Sequence, residues 1–302
     1  MQSALAMPQT YETEEYADRF IPIGDGLRIH LRDYAPILPE TGLPVVCLHG
    51  LTRNVKDFEL VAPRIAALGR RVVAISMRGR GRSDRDPNPE NYQAGVYAGD
   101  VTKALDALDI HRAVFIGTSM GGIITMLLAM MAPDYVAAAT LNDVGPVLDP
   151  AGLTRISGYV GRGQPVPDWN AAAAAAKQLT GHAFPAHAND DAFWLTFAQR
   201  TFRETGEGKI EADYDPMIAL AFASPEEAPP PDLSPFFQML AARPVLVLRG
   251  ALSDLLSREG VAHMRALKPD LFTAEIPATG HAPTLEEPES WNALLDFLAR
   301  VP

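Results

Sequence analysis

The chain has 302 residues, 47% of them hydrophobic and 21% charged, which is enough apolar material for a buried sheet covered by helices. A formal net charge of −11 argues against a non-specific nucleic-acid binder, because neutralising phosphates needs clustered Lys and Arg. Cys47 is the only cysteine, so an intrachain disulfide and a multi-cysteine zinc site are excluded, and the residue reads as a buried structural thiol.

In chain order, residues 1–19 read as a polar lead-in, with Glu12, Glu14, Glu15 and Asp18 where a signal peptide would need positive charge. No stretch approaches the roughly 20 apolar residues of a membrane span, so the expectation is a cytoplasmic protein with no membrane partner. The next segment, 20–23, and Leu27–Tyr34 flank Gly24-Asp25-Gly26 and predict an antiparallel hairpin. Short apolar runs then alternate with amphipathic stretches: Val45–Leu48, Val72–Ile75, 113–117, 136–141, 245–248 and Phe272–Ile276. Such runs, rich in Val, Ile and Leu, are what a parallel sheet buried on both faces requires. The predicted class is α/β, a doubly wound, mostly parallel sheet.

Between 144 and 242 the strand signals stop and a helical cap is expected, leaving 20–143 and 243–302 as the core. Asp168 can cap a helix over 171–179, and further helices are expected over 190–201 and 215–221, followed by a Pro-rich stretch at 225–235. The basic run 78–82, closely followed by Asp84 and Asp86, reads as a solvated loop.

Gly117-Thr118-Ser119-Met120-Gly121 fits G-x-S-x-G, with an apolar strand before it and a helix-forming series up to Met131 after it. A nucleophile elbow needs that strand–turn–helix order, because the serine sits in a strained turn that only small neighbours accommodate. Ser119 is therefore the expected nucleophile. Where such an elbow occurs, the residue after the nucleophile and a loop after an earlier strand supply the oxyanion donors, which makes Met120 and Leu51 of His49-Gly50-Leu51 the expected pair. The His49 side chain is expected only to brace its loop. His281, in the loop after the last predicted strand, stands where the general base belongs in the order nucleophile, acid, base. Two loop carboxylates compete for the acid: Asp254, after the run 245–248, is preferred, and Asp143, directly after 136–141, is expected to brace the cap or pocket floor. Arg53 is a candidate anchor for a substrate carboxylate. Trp194 is a candidate substrate-wall residue, although aromatics at helical spacing are more often core.

With these residues in view, the chain resembles the α/β-hydrolases of the esterase, lactonase and C–C hydrolase group, over residues 20–142 and 243–299. Arg78-Gly79-Arg80-Gly81-Arg82-Ser83 is similar to the family's R-G-x-G-x-S loop, and the segment Gly250 to Asp254 to its acid loop. Met77 stands where the family usually has an aspartate. A serine at the elbow argues against epoxide and carbon–halogen chemistry, which use an aspartate there. The resemblance implies two-step hydrolysis of a small, mostly apolar ester or lactone, with no cofactor and no metal. The alternatives are a C–C bond hydrolase of the same fold and a non-catalytic small-molecule receptor. The oligomeric state, monomer or homodimer, stays open at this point.

Overall fold

The computed structural model describes residues 16–221 and 231–302, so residues 1–15 of the expected lead-in and 225–230 of the Pro-rich stretch lie outside the described residues. The first two strands, β1 (Ala17–Gly24) and β2 (Leu27–Tyr34), form the expected antiparallel hairpin. β1 starts three residues before the expected strand, and Asp18 on it meets the buried His30 ring of β2 at 2.7 Å.

After the hairpin come β3 (Val45–Leu48), α1 (Val61–Ala66), β4 (Val72–Ile75), α2 (Ala94–Ala107), β5 (Ala113–Thr118), α3 (Met120–Met131) and β6 (Val136–Asn142). The insertion follows, with α4 (Pro150–Tyr159), α5 (Trp169–Thr180), α6 (Asp191–Thr201), β7 (Phe202–Glu204), β8 (Ile210–Ala212) and α7 (Ser234–Gln238). The chain closes with β9 (Val245–Gly250), α8 (Arg258–Leu267), β10 (Phe272–Ile276) and α9 (Pro288–Leu298).

The main sheet runs β1-β2-β4-β3-β5-β6-β9-β10, antiparallel only where β2 meets β1 and β4. Side-chain alternation sorts each central strand between two layers. Val46, Leu48, Val73, Ile75 and Phe115 pack on the side of α2 and α3, whereas Val45, Cys47, Val72, Ala74 and Ile116 pack on the side of α1 and α9. Cys47 is thus a buried thiol, and burial pushes its pKa up. The order reverses between β3 and β5, and a crevice opens outside the C-terminal ends of strands at such a switch point.

The insertion differs from the expectation in two ways. It contains a short antiparallel hairpin, β7 with β8, where no strand was expected, because three-residue strands leave too little periodicity to read. It also contains α4, which Asp149 caps by accepting from the Ala151 N–H at 2.9 Å, with Pro150 in the first turn. The alanines of α5 have a packing role: Ala172 and Ala176 let α5 lie close against Trp194 and Ala198 of α6 in a small separate cluster. The chain rejoins the main core at α7, where Phe237 and Leu240 are buried beside the residues of α3. Among the described residues no helix is long and apolar enough to cross a membrane.

Candidate active site

Ser119 sits between β5 and α3 with φ 52° and ψ −115°, a conformation that L-residues adopt only under constraint. Close packing supplies the constraint. A Cβ at Gly121 would come within 2.1 Å of the Leu48 carbonyl oxygen, and one at Gly117 within 2.4 Å of the Gly121 oxygen. The Ser119 N–H is held by the Asn142 carbonyl at 2.9 Å, which ties the turn to the end of β6. These contacts leave the hydroxyl facing the crevice.

The His281 ring comes from the loop after β10, with Nε2 2.9 Å from Ser119 Oγ and Nδ1 2.8 Å from Asp143 Oδ2. Asp143 is fully buried and also accepts from the Gly250 N–H at 2.8 Å and the Ser253 hydroxyl at 2.6 Å. The structure therefore corrects the expected acid: Asp143, not Asp254, stands behind His281. Two physical reasons account for it. Asp143 directly follows β6 with φ 55°, so its side chain turns back over the sheet edge. Asp254 lies four residues beyond β9 and is held from the insertion side by Arg155 of α4, with Nε to Oδ2 at 2.5 Å and Nη2 to Oδ1 at 2.7 Å. Burial pushes the Asp254 pKa up, but the Arg155 pairing outweighs it and keeps the carboxyl below its ordinary value. Ser253, one residue earlier, supports Asp143 instead. The alternation of nucleophile, acid and base along the chain could not choose between the two aspartates, since both lie between Ser119 and His281. The usable signal was proximity to a strand end in the strand next to the elbow strand.

Leu51 and Met120 flank the nucleophile, and neither backbone N–H donates to a protein acceptor among the described residues. Gly50 lies against the serine: a Cβ there would be 3.8 Å from Ser119 Cβ. His49 is fully buried, and burial pushes its pKa down to about 4, so the ring is neutral near pH 7. The Met77 N–H donates to its Nε2 at 3.0 Å, which leaves the proton on Nδ1, 2.7 Å from the Gly50 carbonyl. That carbonyl belongs to the same peptide unit as the Leu51 N–H. His49 thus holds that peptide in place, and the Met77 amide, where the resemblance leads one to expect an aspartate, completes the brace.

A cavity of about 310 Å³ opens over Ser119 and His281 and is walled largely by the insertion. Phe197, Arg200 and Thr201 of α6 face it, as does Phe184. Trp194 does not: it is buried in the insertion's own cluster, and its Nε1–H donates to the His187 carbonyl at 2.7 Å. Its expected place on the substrate wall is thereby corrected. On α6, positions 194 and 198 point toward α5, whereas positions 197 and 201 point toward the cavity. Arg53 does line the cavity, but Asp57 takes its charge through Nε at 3.0 Å and Nη2 at 2.5 Å, Thr201 accepts from Nη1, and the guanidinium lies 4.4 Å from the centre of the Phe197 ring. Arg200 is likewise paired, with Glu59 at 2.7 Å and Glu286 at 2.5 Å. Neither arginine is a bare anchor for an anion.

The basic run is not the solvated loop that its composition suggested. Arg78 is buried and bound by Asp100 through Nε at 2.7 Å and by Asp86 through Nη1 at 2.5 Å, and Arg80 is buried completely. The turn rests on Ser83, whose hydroxyl donates to the Ser76 carbonyl at 2.7 Å.

Comparison with known proteins agrees with this architecture. The chain is 34% identical over 256 residues to a 3-hydroxybutyrate-oligomer hydrolase of Cupriavidus necator, covering 83% of this chain and 86% of that protein. It is 28% identical over 264 residues to a 2-(acetamidomethylene)succinate hydrolase of Mesorhizobium japonicum, covering 85% of this chain and 88% of the relative. A crystal structure of an alpha/beta hydrolase from Novosphingobium aromaticivorans superposes with a TM-score of 0.88 at 45% identity, over 96% of this chain and all of that one. The model of the alpha/beta hydrolase fold matches residues 44–288, and the chain belongs to that family.

Proposed function

We propose that this chain is a serine hydrolase of carboxylic esters, with Ser119 as nucleophile, His281 as general base and Asp143 as the carboxylate that orients it. The observation that carries the reading is the unbroken chain Ser119 Oγ, His281 Nε2, His281 Nδ1, Asp143 Oδ2, with contacts of 2.9 and 2.8 Å, at the floor of the cavity. In the first half-reaction Ser119 Oγ bonds to the substrate carbonyl carbon while His281 Nε2 takes its proton, and the carbonyl electron pair moves onto oxygen. The N–H groups of Leu51 and Met120 receive that oxyanion, and the N-terminus of α3 points its positive end at the same place. The oxyanion's electron pair then re-forms the carbonyl and breaks the bond to the alcohol oxygen, which leaves with the proton from His281, and water repeats the sequence on the acyl-enzyme. Asp143 keeps the His281 proton on Nδ1 and stabilises the imidazolium while it exists.

The similarity to a 3-hydroxybutyrate-oligomer hydrolase over most of both chains supports esters of short hydroxy acids as substrates. The cavity, with aromatic walls and arginines already paired, suits a small, largely apolar acyl group. The test is turnover of p-nitrophenyl butyrate and of 3-hydroxybutyrate dimers and trimers by wild type and Ser119→Ala, with mass spectrometry after fluorophosphonate treatment. Turnover abolished in the variant and a single adduct on Ser119 are expected. A folded wild type that neither turns over an ester nor takes the adduct would refute the reading and favour a receptor.

A further inference from the structure

Arg78 and Arg80 lie two residues apart in one turn, and both are withdrawn from solvent. Arg78 meets two carboxylates; Arg80, with no exposed surface, has none within ion-pair distance among the described residues. Its donors go elsewhere: Nε to the Leu51 carbonyl at 2.9 Å, Nη1 to the Arg78 carbonyl at 2.9 Å and the Tyr97 hydroxyl at 2.8 Å, and Nη2 to Met120 Sδ at 3.7 Å. The rings of Tyr97 and Tyr92 lie 4.8 and 5.7 Å from the guanidinium carbon. The turn itself is clamped from the insertion side, since Gly81 N–H donates to Asp213 O at 2.9 Å and Arg80 bridges Tyr214.

A buried cation with no carboxylate in contact costs stability, and burial outweighs the more distant attraction of Asp215, which lies behind Tyr92, and pushes the Arg80 pKa down. The contacts show where its charge is directed. Two of its four partners are Leu51 and Met120, the residues whose amides bound the oxyanion position in the proposed function. We propose that Arg80 is a positioning residue for acyl transfer: its unpaired guanidinium holds the Leu51 and Met120 sides of the oxyanion hole and presents a fixed positive charge behind it. The inference rests on the serine-hydrolase reading. The neutral substrate carbonyl gains little from that charge. The tetrahedral intermediate, whose oxygen carries the displaced electron pair, gains much more, so the effect is greater in the transition state than in the ground state.

The experiment is steady-state kinetics with p-nitrophenyl butyrate and inhibition by butylboronic acid, which forms an anionic tetrahedral adduct on an active serine, for wild type, Arg80→Met, Arg80→Gln and Arg80→Lys. Each variant is first checked for wild-type circular dichroism. Loss of one direct oxyanion donor reduces kcat about 10²–10³-fold, so Arg80→Met, acting through Leu51 and Met120, is expected to reduce kcat/KM by about 10–100-fold. KM should change less than about threefold, and the boronate inhibition constant should rise by a factor similar to the loss in kcat/KM. Arg80→Lys should recover most of the activity. Arg80→Gln, which keeps a donor without the charge, should not, and this pair decides the matter if Arg80→Met fails to fold. Equal rates for Lys and Gln, a loss confined to KM, or an unchanged boronate affinity would overturn the role of Arg80 while leaving the hydrolase reading intact. Absence of Ser119-dependent turnover in wild type would instead overturn both.

Discussion

Two neighbouring parallel strands, β6 and β9, each end in a loop that carries an aspartate, and the two loops use their aspartates differently. Asp143 follows β6 immediately, is fully buried and accepts from three donors: His281, Gly250 and Ser253. Asp254 lies further from its strand, half-buried, and is bound side-on by Nε and Nη2 of Arg155. Asp143 is the first residue after its strand and is fixed by the sheet, so it can hold a charge in one orientation. The loop after β9 carries its aspartate four residues from the strand and serves two ends, sending Ser253 to the neighbouring aspartate and Asp254 to the insertion. A carboxylate that must orient an imidazole needs the rigid position.

Mutation of the two aspartates breaks or confirms this contrast with the largest expected effect. Asp143→Asn keeps the shape but removes the charge that stabilises the imidazolium, and kcat for p-nitrophenyl butyrate should fall about 10⁴-fold, toward the Ser119→Ala background. Asp254→Asn should retain kcat within about tenfold, because the His281 contact is untouched. The reverse ranking would return the acid to Asp254.

Ser253→Ala sharpens the comparison at the point where the loops touch. It removes one hydrogen bond to a buried carboxylate, an interaction on the order of 1.5–3 kcal/mol, so thermal stability should fall by a few degrees and kcat by about tenfold. Unchanged values for both would mean that the remaining two donors suffice to hold Asp143.

Smaller effects are expected from the other loop. The side chains of the Arg155–Asp254 pair retain 22% and 32% of their exposure, so solvent screens the attraction. Arg155→Met should therefore destabilise the protein by about 1 kcal/mol in urea titrations, with kcat nearly unchanged. A collapse of kcat instead would tie α4 to the chemistry.

The smallest effect is the pH dependence of that difference. The folded-state pKa of Asp254 is depressed, so the pair's contribution is fully present above the ordinary value of 3.8 and is lost as pH falls through the folded value. The stability gap between wild type and Arg155→Met should stay constant from about pH 8 to pH 5 and narrow below pH 4. A gap that narrowed near neutral pH would point to a different titrating partner.

Much of this architecture was legible in the chain. The runs Val45–Leu48 and Val72–Ile75 are strands with those bounds, because continuous apolar stretches of four residues have few other uses, and the edge strand Phe272–Ile276 also has the expected bounds. The elbow was legible because its glycines answer to steric contacts that no other residue survives. The short hairpin β7–β8 was not, since three-residue strands are too short for periodicity to exceed noise, and neither was helix α4, whose Gly152, Thr154, Ser157 and Gly158 weaken its helix propensity. Arg78 and Arg80 were misread as solvated because composition records charge but not partners. Trp194 was ambiguous because helical spacing places an aromatic on a face without saying what that face meets.

The chain alone specified the order of the core strands, the strained turn at Ser119 and the presence of a histidine after the last strand, all of which depend on neighbours within a few residues. Packing settled which aspartate stands behind His281, which arginine has no carboxylate in contact and which aromatics face the cavity. Those outcomes depend on groups far apart in the chain, 107 residues between Asp143 and Gly250 and 99 between Arg155 and Asp254, whose meeting is set by strand pairing and helix docking.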